Sequence, residues 1–365
     1  MGKCNWTGVI TTVPTVQVGF SPLDAVLALP ERHWSAGVVR RVVWLSGKFS
    51  YGDALAVLEE AGEFGISKST VWQLTQRWGA HIGDEVAAEE VQVKAPAREW
   101  STPQGQLPSG KQGVAIDGAM LYLRGEGWKE FKAGCVFDVE NAVRWDKQTG
   151  DYAEYGHAVN LSYVGSLAPA AEFGWEIWTE AQRRGWQQAA EHQVLGDGAK
   201  WIWQLRAEHF PYSETLVDWY HATEHLGAAK QLCYPEPTPQ AARWYNALEL
   251  ALFQGHADQV VQALATATPT PQTEETTEAL RKARQYFQNN QRRMQYQDLR
   301  DQGWPIGSGM VESAAKQFKH RFTGPGMRWS RQGADNLFPV RAAVMTSKAR
   351  FDALWQRAIE HLPLN

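Results

Sequence analysis

The sequence predicts an α/β fold in which helices precede, interrupt and follow a mixed sheet. Three observations carry that prediction. Short apolar runs ending in Asp-Gly recur, in Val114-Ala115-Ile116-Asp117-Gly118 and in Val194-Leu195-Gly196-Asp197-Gly198. Before residue 84 and after residue 236, apolar residues recur every three or four positions, the period of a helix. Between these regions, β-branched and aromatic runs are punctuated by glycine turns, as strands are. A chain of 365 residues has room for two or three domains with cores of their own. Its 44% apolar and 12% aromatic content excludes a disordered chain.

Residues 1–22 read as an irregular N-terminal segment. Residues 23–83 read as helices. Ser35 is placed to cap the first, with Val38, Val39, Val42, Val43 and Leu45 on its apolar face. Ser50-Tyr51-Gly52-Asp53 opens a second, and Gly65-Ile66-Ser67 turns into a third that is expected to end near Trp78-Gly79. Short helix, turn and capped helix together form a helix-turn-helix candidate. Lys68, Gln73, Gln76 and Arg77 are its candidate DNA-contacting residues, since Gln and Arg can pair with base edges. A plain three-helix packing unit would look the same.

Residues 84–110 are acidic and then rich in Pro, Ser and Gly, and read as a linker. Residues 111–235 read as the first part of a catalytic core. Val114 to Asp117, Met120 to Arg124, Phe131 to Val139 and His157 to Val164 are its expected strands, with a hairpin across Gly125-Glu126-Gly127. A helix from Ala168 to Arg184, the Asp197 strand with its helix, the strand Thr215-Leu216-Val217-Asp218 and a helix from Ala222 follow. Strands first, then alternating strand and helix, is the order of an RNase H-like core; periodicity alone gives only α/β. Residues 236–300 read as an all-helical insertion, and 301–365 as the C-terminal helical part of the core.

Asp117 and Asp197 project from strand ends, where open α/β sheets place their ligands. A strand-end Asp equally serves as the cap of the next helix. Glu312 adds a third acid in a helical stretch, Pro305 to Phe322. Two strand-borne aspartates and a helical glutamate form the carboxylate set that a two-metal phosphoryl-transfer site needs. Gly118 and Gly198 would let a DNA backbone approach. Lys316 lies one turn after Glu312, and Lys319, His320 and Arg321 follow, placed for phosphate contacts or for solvent. Asp138 is a further strand acid without the Asp-Gly turn, and is set aside. Trp201, Trp203, Trp219 and Trp244 could stack on bases, but core packing is the expected role.

The net charge of −4 speaks against a nucleic-acid binder, yet basic residues crowd the stretch from Arg281 to Arg341. Cys4, Cys135 and Cys233 are scattered without metal-ligand spacing, as in a protein kept reduced in the cytoplasm. No apolar run is long enough for a membrane span, and the first residues lack signal-peptide form.

Four motifs together resemble the insertion-sequence DDE transposases, nearest to the Kra group and related to the Mutator-like and Lre groups. They are IDGAM at Asp117, LGDGAKWIWQL at Asp197, LVDWYHATEHL from Leu216, and PIGSGMVESAAKQFKHRFTGPGMRWS at Glu312. SPLDAVLALP, from Ser21, adds to them. The resemblance implies an RNase H-like core, with Asp117, Asp197 and Glu312 as catalytic residues and metal ligands. It implies two Mg²⁺ ions, which Mn²⁺ can replace, and Asp218 with His221 as an accessory Asp-x-x-His element. The implied partners are DNA, as terminal inverted repeats and target, and further copies of the chain in a dimer or larger assembly on DNA. No membrane partner is expected, and the implied location is the cytoplasm, at the nucleoid. Relatives often carry a Cys-rich N-terminal segment; here Cys4 stands alone, and the expectation is that this segment is truncated or absent. The alternatives are an inactive or domesticated DNA-binding descendant of a transposase, and an RNase H-like nuclease.

Overall fold

The structure is a computed structural model that describes residues 34–62, 65–94, 110–146, 150–307, 309–324 and 327–362, without the side chains of 144, 146 and 309–314. Among the described residues three helices come first, α1 (Ala36–Lys48), α2 (Tyr51–Gly62) and α3 (Lys68–Lys94). Ser35 caps α1 by accepting from the Val38 N–H, as the sequence requires. The segment from Ser21 to Pro30 lies outside the described residues.

A five-stranded mixed sheet follows, in the order β3-β2-β1-β4-β5. Its strands are β1 (Lys111–Leu123), β2 (Gly127–Asp146), β3 (Asp151–Ser166), β4 (Glu191–Gly196) and β5 (Glu214–Val217). β1, β2 and β3 are antiparallel neighbours, while β4 and β5 run parallel to β1. Helix α4 (Ala170–Arg183) leads into β4, α5 (Lys200–His209) into β5, and α6 (Trp219–Cys233) leaves the sheet. Then come α7 (Pro239–Phe253), α8 (Ala257–Thr266), α9 (Glu274–Asn290) and α10 (Tyr296–Asp301), so residues 236–300 are helical as expected. The chain closes with α11 (Gly309–Phe322), α12 (Arg331–Asp335), α13 (Leu337–Thr346) and α14 (Lys348–Glu360). Among the described residues, no helix is long and apolar enough to cross a membrane.

Two-residue alternation along β1 assigns the layers. Val114 and Ile116 face one side and pack with Phe173 and Ile177 of α4 and with Ile202 and Leu205 of α5. Ala115 faces the other side, in a core built from α6 and the helical block. Ala119, Leu121 and Leu123 share that second face but belong to a different core, with Phe318 and Phe322 of α11, Phe338 of α13 and the N-terminal helices. Asp117 falls in the row between these two cores.

Three expectations require correction. Val114–Asp117 and Met120–Arg124 are one strand, because β2 pairs with β1 continuously from Lys111↔Val139 to Leu123↔Gly127. The third helix does not stop at Gly79 but runs to Lys94. A Cβ at Gly79 would lie 2.1 Å from the Asn336 carbonyl oxygen, so this glycine marks a close crossing with the C-terminal helices. Residues 84–94 are therefore helix rather than linker; 95–109 lie outside the described residues. Their acids are structural. Arg350 donates to Glu89 at 2.7 Å and Arg357 to Glu85 at 3.2 Å, tying α3 to α14. The helical block lies outside the sheet and packs against it. Val260, Leu264 and Phe287 pack in one core with Ala115, Leu195 and Leu216.

The N-terminal helices thus share their interior with α11, α13 and α14. Trp78 of α3 is 1% exposed and stacks on Trp355 of α14 at 4.2 Å. Trp78→Ala should cost about 3–5 kcal/mol, and urea unfolding should stay a single transition in which N- and C-terminal probes move together. Separate transitions for the two ends would show that they do not share a core.

Candidate active site

The site grows from the parallel pairing of β1 with β4. Its last pair is Ile116↔Gly196, and the next residues on the two strands are Asp117 and Asp197. Neighbouring strands lie ~4.8 Å apart, so the register sets the two acids side by side. β1 continues past this point along β2, whereas β4 ends. Asp117 is therefore within its strand and Asp197 just beyond the end of another.

Each backbone then fixes its acid. An oxygen of Asp197, Oδ1, accepts from the Ala199 N–H at 2.7 Å, closing the turn into α5. Gly198 occupies φ +98°, which a side chain disfavours, and a Cβ there would sit 2.8 Å from the Tyr286 ring. The turn and Tyr286 thus account for Gly198, and no room for a DNA backbone need be invoked there. The Tyr286 hydroxyl, from α9, donates to the Asp197 carbonyl at 3.0 Å, and its ring stacks on His225 at 3.7 Å.

The electrostatics follow from this placement. Burial pushes the Asp117 carboxyl up to about 6, and the charge of Asp197 adds to the rise. His221 and Lys319 pull it back down. Two acids, a histidine of α6 and a lysine of α11 therefore act on one point. Two like charges near each other and partly out of water are costly unless a cation answers them.

Asp218 also reaches this edge, since its N–H donates to the Gly196 carbonyl at 2.8 Å. It is 1% exposed and caps α6, accepting from the N–H groups of Tyr220 at 2.7 Å and His221 at 3.1 Å. The Asp218 carboxylate thus meets the backbone N–H of His221. The imidazole of His221 lies 3.8 Å from Glu224. Glu312 belongs to α11, and position 312 is seven residues, two helical turns, before Lys319. Its side chain lies outside the described residues. Among the described residues, no three acids, histidines or cysteines form a metal cluster.

The other candidates separate. Lys68, Gln73 and Arg77 are exposed on α3, beside an exposed Trp72. Gln76 is turned inward, bonding to the Tyr51 hydroxyl at 3.2 Å and the Gly333 carbonyl at 3.3 Å. Lys316 and Lys319 are exposed. Arg321 is not, at 1% exposure. Its guanidinium donates to the Ser46 carbonyl at 2.7 Å and lies over Tyr51, so it joins α11 to the N-terminal helices instead of facing a ligand. Asp138 accepts from Gln112, Asn160 and Arg184 inside the sheet, far along β2 from the acid pair. Trp203, Trp219 and Trp244 pack against Arg293, Phe253 and Tyr234, and Trp201 under Lys132. His225 and Tyr286 went unread in the sequence. His225 follows His221 by one turn, which was a usable signal. Nothing near Tyr286 in the chain announces its contact with Asp197.

Fold and site together define a mixed α/β protein with a paired-carboxylate edge between two helical layers. The chain belongs to the uncharacterised protein family UPF0236, whose profile matches residues 170–358. It is 24% identical over 355 residues to the "UPF0236 protein in vanSb 3'region" of Streptococcus gallolyticus, across 89% of this chain and 67% of that relative. The matched span contains Asp197, Asp218 and Glu312 and begins after Asp117.

Gly198→Ala should destabilise the chain by roughly 1–3 kcal/mol through its backbone strain. Tyr286→Phe should cost less, about 0.5–1.5 kcal/mol for one hydrogen bond. Urea denaturation ranks the two; a neutral Gly198→Ala would contradict the turn described above.

Proposed function

We propose that this chain is a DNA transposase with an RNase H-like core, cutting and joining strands at the ends of its mobile element. The observation that carries the reading is the Asp117–Asp197 pair on adjacent parallel strands, with Asp117 held up to about 6 by burial and by its neighbour. Three antiparallel strands, then two parallel strands reached through helices, is the strand order of such a core. Three of the motifs that resemble the Kra group carry Asp117, Asp197 and Asp218, and the fourth carries Lys319, which acts on Asp117.

The donor chemistry fits a hard divalent cation. Mg²⁺ favours one or two protein carboxylates, with water and phosphate oxygens completing its shell. Asp117 and Asp197 would hold it, and Glu312 is the proposed third ligand. Bound Mg²⁺ would supply charge for the developing phosphorane and acidity for the attacking water or 3′-hydroxyl. The chain's own groups do the rest. Above pH about 6 Asp117 is mostly ionised and able to ligate. Lys319, exposed beside it, can neutralise a scissile phosphate. His221 can donate to a phosphate oxygen or hold Asp117 in orientation. Lys68, Gln73 and Arg77 remain outward-facing candidates for reading the element's ends, and synapsis of two ends calls for a dimer or larger.

The test is to incubate the full chain with duplexes carrying its element's ends and Mg²⁺, then map nicks and joined products. Asp117→Asn, Asp197→Asn and Glu312→Gln should each reduce nicking on the order of 100-fold or more, with end binding retained in gel shifts. Binding without cutting by the wild type would favour an inactive descendant. Cutting without joining would favour a nuclease.

End binding should weaken with salt, by about −0.9 in the log–log slope per phosphate contact. Lys319→Ala should make that slope shallower by about one, whichever end sequence is used. An unchanged slope would remove Lys319 from the DNA contact.

A further inference from the structure

A second site lies away from the acid pair, in a cavity of about 460 Å³ between α3, α4, the end of β3 and α13. That volume suits a small molecule. Six carboxylates reach its lining from three helices: Glu89 and Glu90 of α3, Glu172, Glu176 and Glu180 of α4, and Asp335 of α12. Between them the wall is apolar, with Val86, Leu167, Phe338 and Leu354.

The cations nearby are already engaged. Arg331 donates to Glu126 at 3.0 Å, Arg350 to Glu89 at 2.7 Å, and Lys94 to Glu90. Glu180, also in the lining, is held by Arg183 at 2.8 Å. Among the described residues, Glu172 and Glu176 have no ion pair. Glu176 receives only the Ser166 hydroxyl, at 3.0 Å. Burial pushes its carboxyl up to about 8, and the charges of Glu90, Glu172 and Asp335 contribute.

An independent observation points the same way. Thr179 follows Glu176 by one turn, lines the cavity and is 5% exposed, yet its hydroxyl has no partner. A buried hydroxyl in that state is a few kcal/mol short of its hydrogen bond. It can accept from a ligand N–H.

We propose that this cavity binds a linear di- or polyamine, with its ammonium groups on Glu172, Glu176 and Asp335, one N–H on Thr179, and its methylenes along the apolar wall. A metal ion is disfavoured, because the carboxylates do not gather into a cluster that could hold one, whereas spaced charges separated by apolar surface match a chain of ammoniums and methylenes. Glu176 must give up its proton to pair with an ammonium, so binding releases a proton and strengthens as pH rises toward about 8. The groups facing Glu176 in that step are Ser166, Glu90, Glu172 and Asp335, with the paired Arg331 and Arg350 in the same lining.

The test is calorimetric titration of the full chain with spermidine near pH 7. Saturable one-to-one binding is expected, with a heat that varies with the ionisation enthalpy of the buffer. Glu172→Gln and Glu176→Gln should each weaken it roughly 10-fold or more, and Glu59→Gln, on exposed α2, should not. Glu172 is exposed, so its variant keeps the fold; circular dichroism checks both. MgCl₂ should give no saturable heat, and Nα-acetyl-lysine methylamide, a single ammonium, should bind more weakly than spermidine. Absence of saturable binding, equal affinity in the Glu172 and Glu176 variants, saturable Mg²⁺ binding, or a lysine mimic that binds as tightly would each overturn the proposal.

Discussion

The pairing of β1 with β4 up to Ile116↔Gly196 is the constraint on which the site depends. It sets Asp117 and Asp197 at one level of the sheet although the chain separates them widely. Because β1 continues and β4 stops, one acid is held rigidly in a ladder and the other in a turn. The turn needs the positive φ of Gly198, and Tyr286 closes over it. The helical block is thereby anchored to the acid edge. The pairing also carries a cost. Burial raises Asp117, repulsion from Asp197 adds to the rise, and His221 and Lys319 offset only part of it.

A second constraint is charge pairing across the chain's length. The acids of α3 and the arginines of α14 are far apart in sequence and joined in space, as Glu89–Arg350 and Glu85–Arg357. Arg321 and Arg341 are buried and bonded to carbonyls of α1, Ser46 and Gly47. Arg331 is paired with Glu126 on the hairpin turn. Much of the acid-to-base asymmetry of the sequence is therefore spent inside the molecule. Lys319, which acts on Asp117, stays exposed.

The α/β class, the hairpin at Gly125–Gly127, the helical block and the adjacency of Asp117 with Asp197 were legible, because apolar period and Asp-Gly turns are local signals. What was not legible depends on contacts between distant segments. Gly79 reads as a helix stop, but it is small because another backbone crosses there. Arg321 sits in a basic run and reads as a phosphate ligand, but Tyr51 and the Ser46 carbonyl enclose it. Periodicity places a residue on a face; it does not say what the face meets.

The central claim is that Asp117 and Asp197 jointly hold a divalent cation. Its most direct measurement is titration of the full chain with Mn²⁺, following free Mn²⁺ by electron paramagnetic resonance. The account predicts saturable uptake that Mg²⁺ displaces and that Asp117→Asn or Asp197→Asn abolishes. Free Mn²⁺ unaffected by the protein, or equal uptake by the variants, would contradict it.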